Sequence, residues 1–307
     1  MTLAKRLEAT RPLLLDGGIG SEIKARGYPL HPSVWSALAH LEDAELVAGI
    51  HRDYLASGAE VITANTFSLS RHNLEHAGFG DVFAKANARA TQLARAAVDE
   101  RRPRQAWVAG SLSTIPPMDA PDRLAVGRAA YQNYKLQAEI LKDNGADLIL
   151  AEMLLEEQSA TCLMDAACSV GLPVWSGVSA MIGPDAQVMG FRAPGKYKEV
   201  PSTVFADLVL ALASYPVELI AVMHTKVDVV PSALSVLRQL WDGPIAAYAE
   251  TGLSGDSDWF FETALGAQDY ATIAAKWVDT CRLDAVGGCC GTRPAHIAAL
   301  AKQLTSG

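Results

Sequence analysis

Two adjacent cysteines stand near the end of the chain, inside Gly287-Gly288-Cys289-Cys290-Gly291-Thr292. Vicinal cysteines rarely bridge each other, because the ring joining them would be strained. The chain has five cysteines, Cys162, Cys168, Cys281, Cys289 and Cys290, an odd number that does not suit a disulfide framework. Two thiols on a glycine-rich turn can instead converge on one zinc ion. Zinc favours thiolates in a tetrahedral set, and catalytic sites leave one position for water or substrate. The pair then needs a third ligand, and His224, at the end of the sixth apolar run, is best placed to supply it. A thiol bound at the open position would be held deprotonated and nucleophilic at neutral pH. The pattern alone leaves a second reading open, in which both cysteines are buried small hydrophobes and His224 is a polar residue near a strand end.

Three carboxylates also follow apolar runs. Glu152 comes after Asp147-Leu148-Ile149-Leu150-Ala151, where it either holds a substrate ammonium group or favours a helix N-terminus through the dipole. Asp16 precedes Gly17-Gly18 and plays a similar part or caps that turn. Glu250 follows Tyr248-Ala249. The other histidines are weaker candidates. His51 is expected on a helix surface or capping a contact, His296 packing or capping in the last helix, and His31 and His40 beside Trp35, where they could line a mouth. His72, Glu75 and His76 match the inverted zinc motif H-x-x-E-H, but the segment is short and ordinary surface is the expectation. Cys162, Cys168 and Cys281 lie in alanine-rich helical contexts, expected to bury inert thiols. No Ser-x-x-Lys, G-x-S-x-G or phosphate loop is present, which argues against serine hydrolase and kinase chemistry.

Such residues need a frame that gathers them. Apolar runs recur at residues 12–15, 60–64, 106–109, 147–151, 173–178, 219–222, 245–248 and 285–287. Several are continuous rather than alternating, as in strands covered by helices. Helical patterns occupy 44–57, 82–100, 124–144, 231–241 and 270–281, with Asp81 placed to cap the second. A last helix is expected from Thr292 to Leu304 with Pro294 in its first turn, and the alanine-rich run 206–214 reads as a buried helix. Eight strands alternating with helices predict an α/β fold of the (β/α)8 TIM-barrel type. The open doubly wound alternative would normally carry G-x-G-x-x-G, a spacing that Asp16-Gly17-Gly18-Ile19-Gly20 lacks. In a barrel, function gathers at the C-terminal strand ends, which here read Asp16, Asn65-Thr66, Ser111, Glu152, Ser179, His224, Glu250 and Cys289-Cys290.

Of 307 residues, 50% are hydrophobic and 20% charged, which excludes disorder and allows one large barrel over 1–307. Twenty-six basic against 34 acidic residues give a net charge of −8, which argues against a nucleic-acid partner. Leu13-Leu14-Leu15 stops at Asp16, far short of a signal-peptide core, and no segment approaches the roughly 18 apolar residues of a membrane span. A cytoplasmic protein with reduced thiols and no membrane partner is expected. Residues 182–201, rich in Gly, Pro and Lys, are expected to form a long loop within the domain.

Leu15-Asp16-Gly17-Gly18-Ile19-Gly20, Ile62-Thr63-Ala64-Asn65-Thr66-Phe67, Ala109-Gly110-Ser111 and Val286-Gly287-Gly288-Cys289-Cys290-Gly291-Thr292, with Pro294, His296 and Ile297, occur in an order that resembles the zinc-dependent homocysteine S-methyltransferase family. That family includes betaine- and S-methylmethionine-dependent enzymes and the homocysteine domain of cobalamin-dependent methionine synthase. The resemblance spans essentially the whole chain, and Gly-Gly-Cys-Cys-Gly-Thr is its strong signal. It implies a (β/α)8 barrel, Cys289 and Cys290 as zinc ligands, Asp16 in a substrate-proximal acidic turn and Glu152 on the amino group of homocysteine. The implied reaction moves a methyl group from a sulfonium, ammonium or methylated carrier to the zinc-bound thiolate of homocysteine or a related thiol. At this length the donor is expected to be a small molecule or a separate corrinoid or folate carrier. The alternative is a divergent member with changed chemistry, such as demethylation, or a non-catalytic small-molecule-binding barrel.

Three positions depart from the family. Met223-His224 stands where Asn-Cys is usual, so the third ligand cysteine is replaced by histidine. Glu152-Met153 stands for the frequent Glu-Thr, and Glu250-Thr251-Gly252 for Asn-x-Gly. A neutral imidazole in place of a thiolate leaves the metal complex one charge more positive, with a more acidic metal and a less nucleophilic bound thiolate.

Overall fold

The computed structural model describes residues 1–101, 105–120, 122–190, 203–253, 262–263 and 265–305. Eight parallel strands, each followed by a helix, form the frame: β1 (Leu13–Leu14), β2 (Val61–Thr63), β3 (Trp107–Ser113), β4 (Leu148–Leu154), β5 (Val174–Ile182), β6 (Leu219–Lys226), β7 (Ile245–Glu250) and β8 (Ala285–Gly288). They run in the order β1-β8-β7-β6-β5-β4-β3-β2. The ring closes through a Leu15–Val61 bridge, where Glu60 N donates to Leu14 O at 2.7 Å and Asp16 N to Val61 O at 3.0 Å. This is the (β/α)8 barrel that the alternation of runs predicts.

The outer helices are α1 (Ala44–Ala56), α2 (Phe83–Glu100), α3 (Gly127–Asp143), α4 (Glu157–Cys168), α5 (Phe205–Ala213), α6 (Val230–Leu240), α7 (Ala267–Cys281) and α8 (Pro294–Thr305). Each strand serves two cores, which is why its sequence reads as a continuous apolar run. Leu13, Leu15, Val61, Trp107, Leu148, Leu150, Trp175, Leu219, Ala221 and Ala246 fill the barrel interior. Leu14, Ile62, Val108, Ile149, Val178, Ile220, Val222 and Val286 pack outward against the helices. Among the described residues no helix is long and apolar enough to cross a membrane.

Three local expectations are corrected. Asp81 lies in a 3₁₀ turn, Gly80–Val82, and makes no cap to α2, whose N-cap is Val82. The expected loop at 182–201 contains a short strand, Val188–Gly190, antiparallel to the end of β5; residues 191–202 lie outside the described residues. Cys162, Cys168 and Cys281 are half-buried rather than buried.

His51 is a fourth correction: it is 0% exposed. On α1 it falls in the stripe of Val47, Ile50, Tyr54 and Leu55, three and four residues apart, so the helical period turns it into the core. Neither of its ring nitrogens has a hydrogen-bond partner among the described residues. Burial, then His40 and Arg52, holds its pKa down at about 3; burial likewise holds His40 at about 4. Unfolded, both titrate near 6.5. The stability gained by keeping them neutral is therefore complete above pH 6.5 and is lost as the pH falls towards their folded values, by about 1.4 kcal/mol per pH unit per group. Replacing His51 by Leu is expected to remove one proton from the acid limb. Urea midpoints at pH 7 and pH 4.5 check this: the drop should be smaller in the variant, and an equal drop would refute the assignment.

Candidate active site

Side-chain alternation decides most of the mouth. On β4, Leu148 and Leu150 point inward, so Glu152 does too; on β7, Ala246 and Tyr248 carry the same parity to Glu250; on β3 it selects Ser111, and on β5, Ser179. The pocket these strand ends enclose measures about 810 Å³, counting space open to solvent. Its walls include Asp16, Trp35, Phe67, Glu152, Tyr248 and the Cys289–Cys290 turn, and none of the described residues that line it is a lysine or arginine.

Two residues break parity to enter this pocket. Ile220 and Val222 face outward on β6, so strict alternation would also send His224 outward. A register shift between Met223 and Lys226 marks a bulge, and His224 sits in it at φ +40°. Met153 repeats the device on β4, with a shift between Ala151 and Leu154 and φ +50°. Left-handed backbone at a non-glycine residue costs on the order of 1 kcal/mol or more and persists where surrounding structure enforces it. Here it turns both side chains into the mouth.

His224, Cys289 and Cys290 place their ligand atoms within 4.8 Å of one another and are the one such group of potential metal ligands among the described residues. Cys289 Sγ lies 3.7 Å from His224 Nδ1 and 3.9 Å from Cys290 Sγ. The edges of a zinc tetrahedron with bonds of about 2.3 Å to sulfur and 2.0–2.1 Å to nitrogen are roughly 3.5–3.8 Å, and the two separations at Cys289 Sγ match them. A hydrogen bond with the Cys290 thiol, working against burial and joined by His224, holds the Cys289 thiol well below its ordinary pKa; Cys290 is pushed up in turn by Cys289. Burial opposes charge on His224, but Glu250, whose Oε2 lies 3.5 Å from Nδ1, and Cys289 outweigh it and lift the imidazole to about 9.

Glu152 and Asp16 line the same pocket. Glu152 Oε2 accepts from Ser111 Oγ at 2.5 Å and Oε1 from Tyr248 Oη at 3.2 Å. Burial, against these bonds, raises its pKa to about 8. The helix-terminus role considered for Glu152 falls to Glu156, which caps α4. Asp16 binds across the seam, Oδ2 accepting from Thr63 N at 2.7 Å and Oδ1 from Thr63 Oγ1 at 3.1 Å; burial raises its pKa to about 7. Gly177 makes room for this wall: a Cβ there would lie 2.5 Å from Tyr248 Oη and 2.8 Å from Met223 Cγ. Gly18 lets two turns meet, since a Cβ would lie 2.7 Å from Cys289 O.

Trp35 lines the pocket, in edge contact with Phe67 at 6.4 Å between centroids, while neither of its flanking histidines does. His40 Nε2 donates to Ala86 O, and His31 Nδ1 accepts from Ser33 N. Ile115 and Met118 close the outer side on a loop tied down by Asn73, which donates to Ile115 O, and by Ser33, which accepts from Met118 N through its carbonyl. His76 bonds Asp119 of that loop and His72 bonds Ser70, so the H-x-x-E-H match serves loop packing. His296 caps as expected, its Nδ1 accepting from Arg293 N. The contributions of Thr63, Tyr248, Phe67, Ile115 and Met118 were not read from sequence. Inward parity near the end of the apolar run signals Thr63 and Tyr248; nothing local signals Ile115 and Met118.

Fold and mouth together define a (β/α)8 barrel able to hold a metal ion near three buried carboxylates, Asp16, Glu152 and Glu250. The chain belongs to the homocysteine S-methyltransferase family, whose model matches residues 13–304. Its relatives include selenocysteine Se-methyltransferase of Brassica oleracea var. italica, 23% identical over 95% of this chain and 89% of that protein. Another is betaine–homocysteine S-methyltransferase 1 of Rattus norvegicus, 25% identical over 98% of this chain and 74% of that protein. Among solved structures, the metallated form of the homocysteine methyltransferase MmuM from Escherichia coli shares the fold, with a TM-score of 0.72, 23% identity and coverage of 95% and 96% of the two chains.

Proposed function

We propose that this protein transfers a methyl group from a small onium donor to the sulfur of homocysteine or a related aminothiol, with zinc held by Cys289, Cys290 and His224. The observation that carries this reading is a ligand triad that shares one pocket with Glu152, a pocket whose described lining residues include no lysine or arginine. Zinc, when bound, supplies the Lewis acidity that keeps an acceptor thiol ionised at neutral pH.

The chain's own residues do the rest. Glu152, held by Ser111 and Tyr248, receives the acceptor's ammonium group and fixes the direction of its side chain. Asp16 and the Trp35–Phe67 pair make the remaining wall attractive to a cation: a carboxylate supplies charge, and aromatic faces favour an onium group by about 0.5–2 kcal/mol. Ile115 and Met118 exclude water from the path of transfer. The acceptor's S–CH3 bond forms as the donor's onium–CH3 bond breaks, and the donor leaves neutral with the bonding pair. A folate or corrinoid donor on a separate carrier is the competing source. The free thiols of all five cysteines suit a reducing, cytoplasmic setting.

The test is a panel of homocysteine, selenocysteine and cysteine against sulfonium, betaine and methyl-folate donors, with product mass as readout. Methylated aminothiol from an onium donor is the expected result. Methyl loss without a thiol acceptor would instead mark demethylation, and turnover only with a methylated carrier would overturn the onium donor.

A further inference from the structure

We propose that Glu250 is a positioning residue of the metal centre: it fixes the His224 imidazole and restores the negative charge that a third thiolate ligand would bring. The inference rests on the zinc reading above and extends it to a residue outside the ligand triad. Glu250 Oε2 lies 3.5 Å from His224 Nδ1, and each side chain is only 5% exposed. The same ring nitrogen faces Cys289 Sγ at 3.7 Å, so the thiol and the carboxylate meet the imidazole at one edge.

Charge explains why a carboxylate belongs there. Two thiolates and a neutral imidazole around a divalent cation sum to zero, whereas three thiolates sum to −1. A carboxylate beside the imidazole returns the total to −1. With Nε2 as the ligand atom, Nδ1–H would face the carboxylate, which would raise the basicity of the ring and hold its plane. Position agrees with this role. Glu250 shares the inward parity of Ala246 and Tyr248, while its register partner on β6, Lys226, is exposed. The bulge that turns His224 inward lies on the same β6–β7 pair, so one local distortion brings the ligand and its carboxylate together.

The test is a double-mutant cycle read as zinc affinity, by competition with a chromophoric chelator, on wild type, Glu250→Gln, His224→Cys and the double variant. Glu250→Gln is expected to weaken zinc about 10- to 100-fold when His224 is present. In the His224→Cys background, where the third thiolate supplies the charge, the same substitution should cost less than about 3-fold. Cobalt-substituted protein gives a second readout: its d–d bands should shift with Glu250→Gln in the first background and hold in the second. Equal zinc affinity of wild type and Glu250→Gln overturns the proposal, and so does an equal loss in both backgrounds, which is what a purely structural role would give. If Glu250→Gln does not fold, Glu250→Asp replaces it, with a smaller loss in the same direction expected only with His224. Wild-type zinc binding is measured first; its absence overturns the metal reading and this one with it, whereas zinc uptake with a flat cycle overturns this one alone.

Discussion

Cys290→Ala is expected to emerge from purification without stoichiometric zinc and with methyl transfer lowered by about 10³-fold or more, while remaining folded. Metal polarisation contributes several kcal/mol to reactions of this kind, and each 1.4 kcal/mol is tenfold in rate. Cys290 is one of three ligand-capable residues meeting at one point, and its loss leaves two donors, too few to hold the ion in competition with water. The variant should fold because alanine removes only a sulfur from a turn whose backbone is fixed by other bonds, including Thr251 N to Cys290 O at 2.9 Å and Gly291 N to Ser21 Oγ at 3.2 Å. His224→Ala should act in the same direction. Metal analysis and circular dichroism on both variants decide the matter, and zinc retained in His224→Ala would remove that residue from the ligand set.

Glu152 is the second position of large effect. Glu152→Gln keeps the size and much of the bonding to Ser111 and Tyr248 but removes the charge that an acceptor's ammonium group would meet. Truncating one partner of a buried charge pair costs about 3–5 kcal/mol, so kcat/KM for an aminothiol should fall by roughly 10²–10⁴-fold. A thiol of similar length without an amino group should be affected much less. The comparison of the two acceptors carries the test: an equal loss for both would mean that Glu152 shapes the pocket instead of binding the amine.

The barrel was legible because a parallel strand with helices outside and a packed interior buries both faces, and several of the eight runs are therefore continuous apolar stretches. Their C-terminal limits were not. β4 continues from the expected 151 to Leu154, and β6 from 222 to Lys226, because the ladder extends into the polar ring where hydropathy gives no sign of a strand. Within the site, Asp16, Glu152, Cys289 and Cys290 were visible as polar or thiol groups directly after those runs. The structure places them around one pocket with His224. How His224 gets there was not visible, since simple alternation points it at the helices and a bulge reverses it. His51 failed for the opposite reason: its polarity outweighed a helical period that already placed it inside.

Asp16 has one more consequence, for the way the barrel breathes. β1 is two residues long and β2 three, so the β1–β2 seam is the shortest pairing in the ring. Both Asp16 oxygens reach across it to Thr63, adding to the Leu15–Val61 bridge. The carboxylate is thus a clasp as well as a wall of the pocket. A ligand that draws on its oxygens takes them from the clasp, so occupancy of the mouth and opening of the seam are coupled. Amide hydrogens around Thr63 would report that coupling as a change in exchange rate with no change of fold.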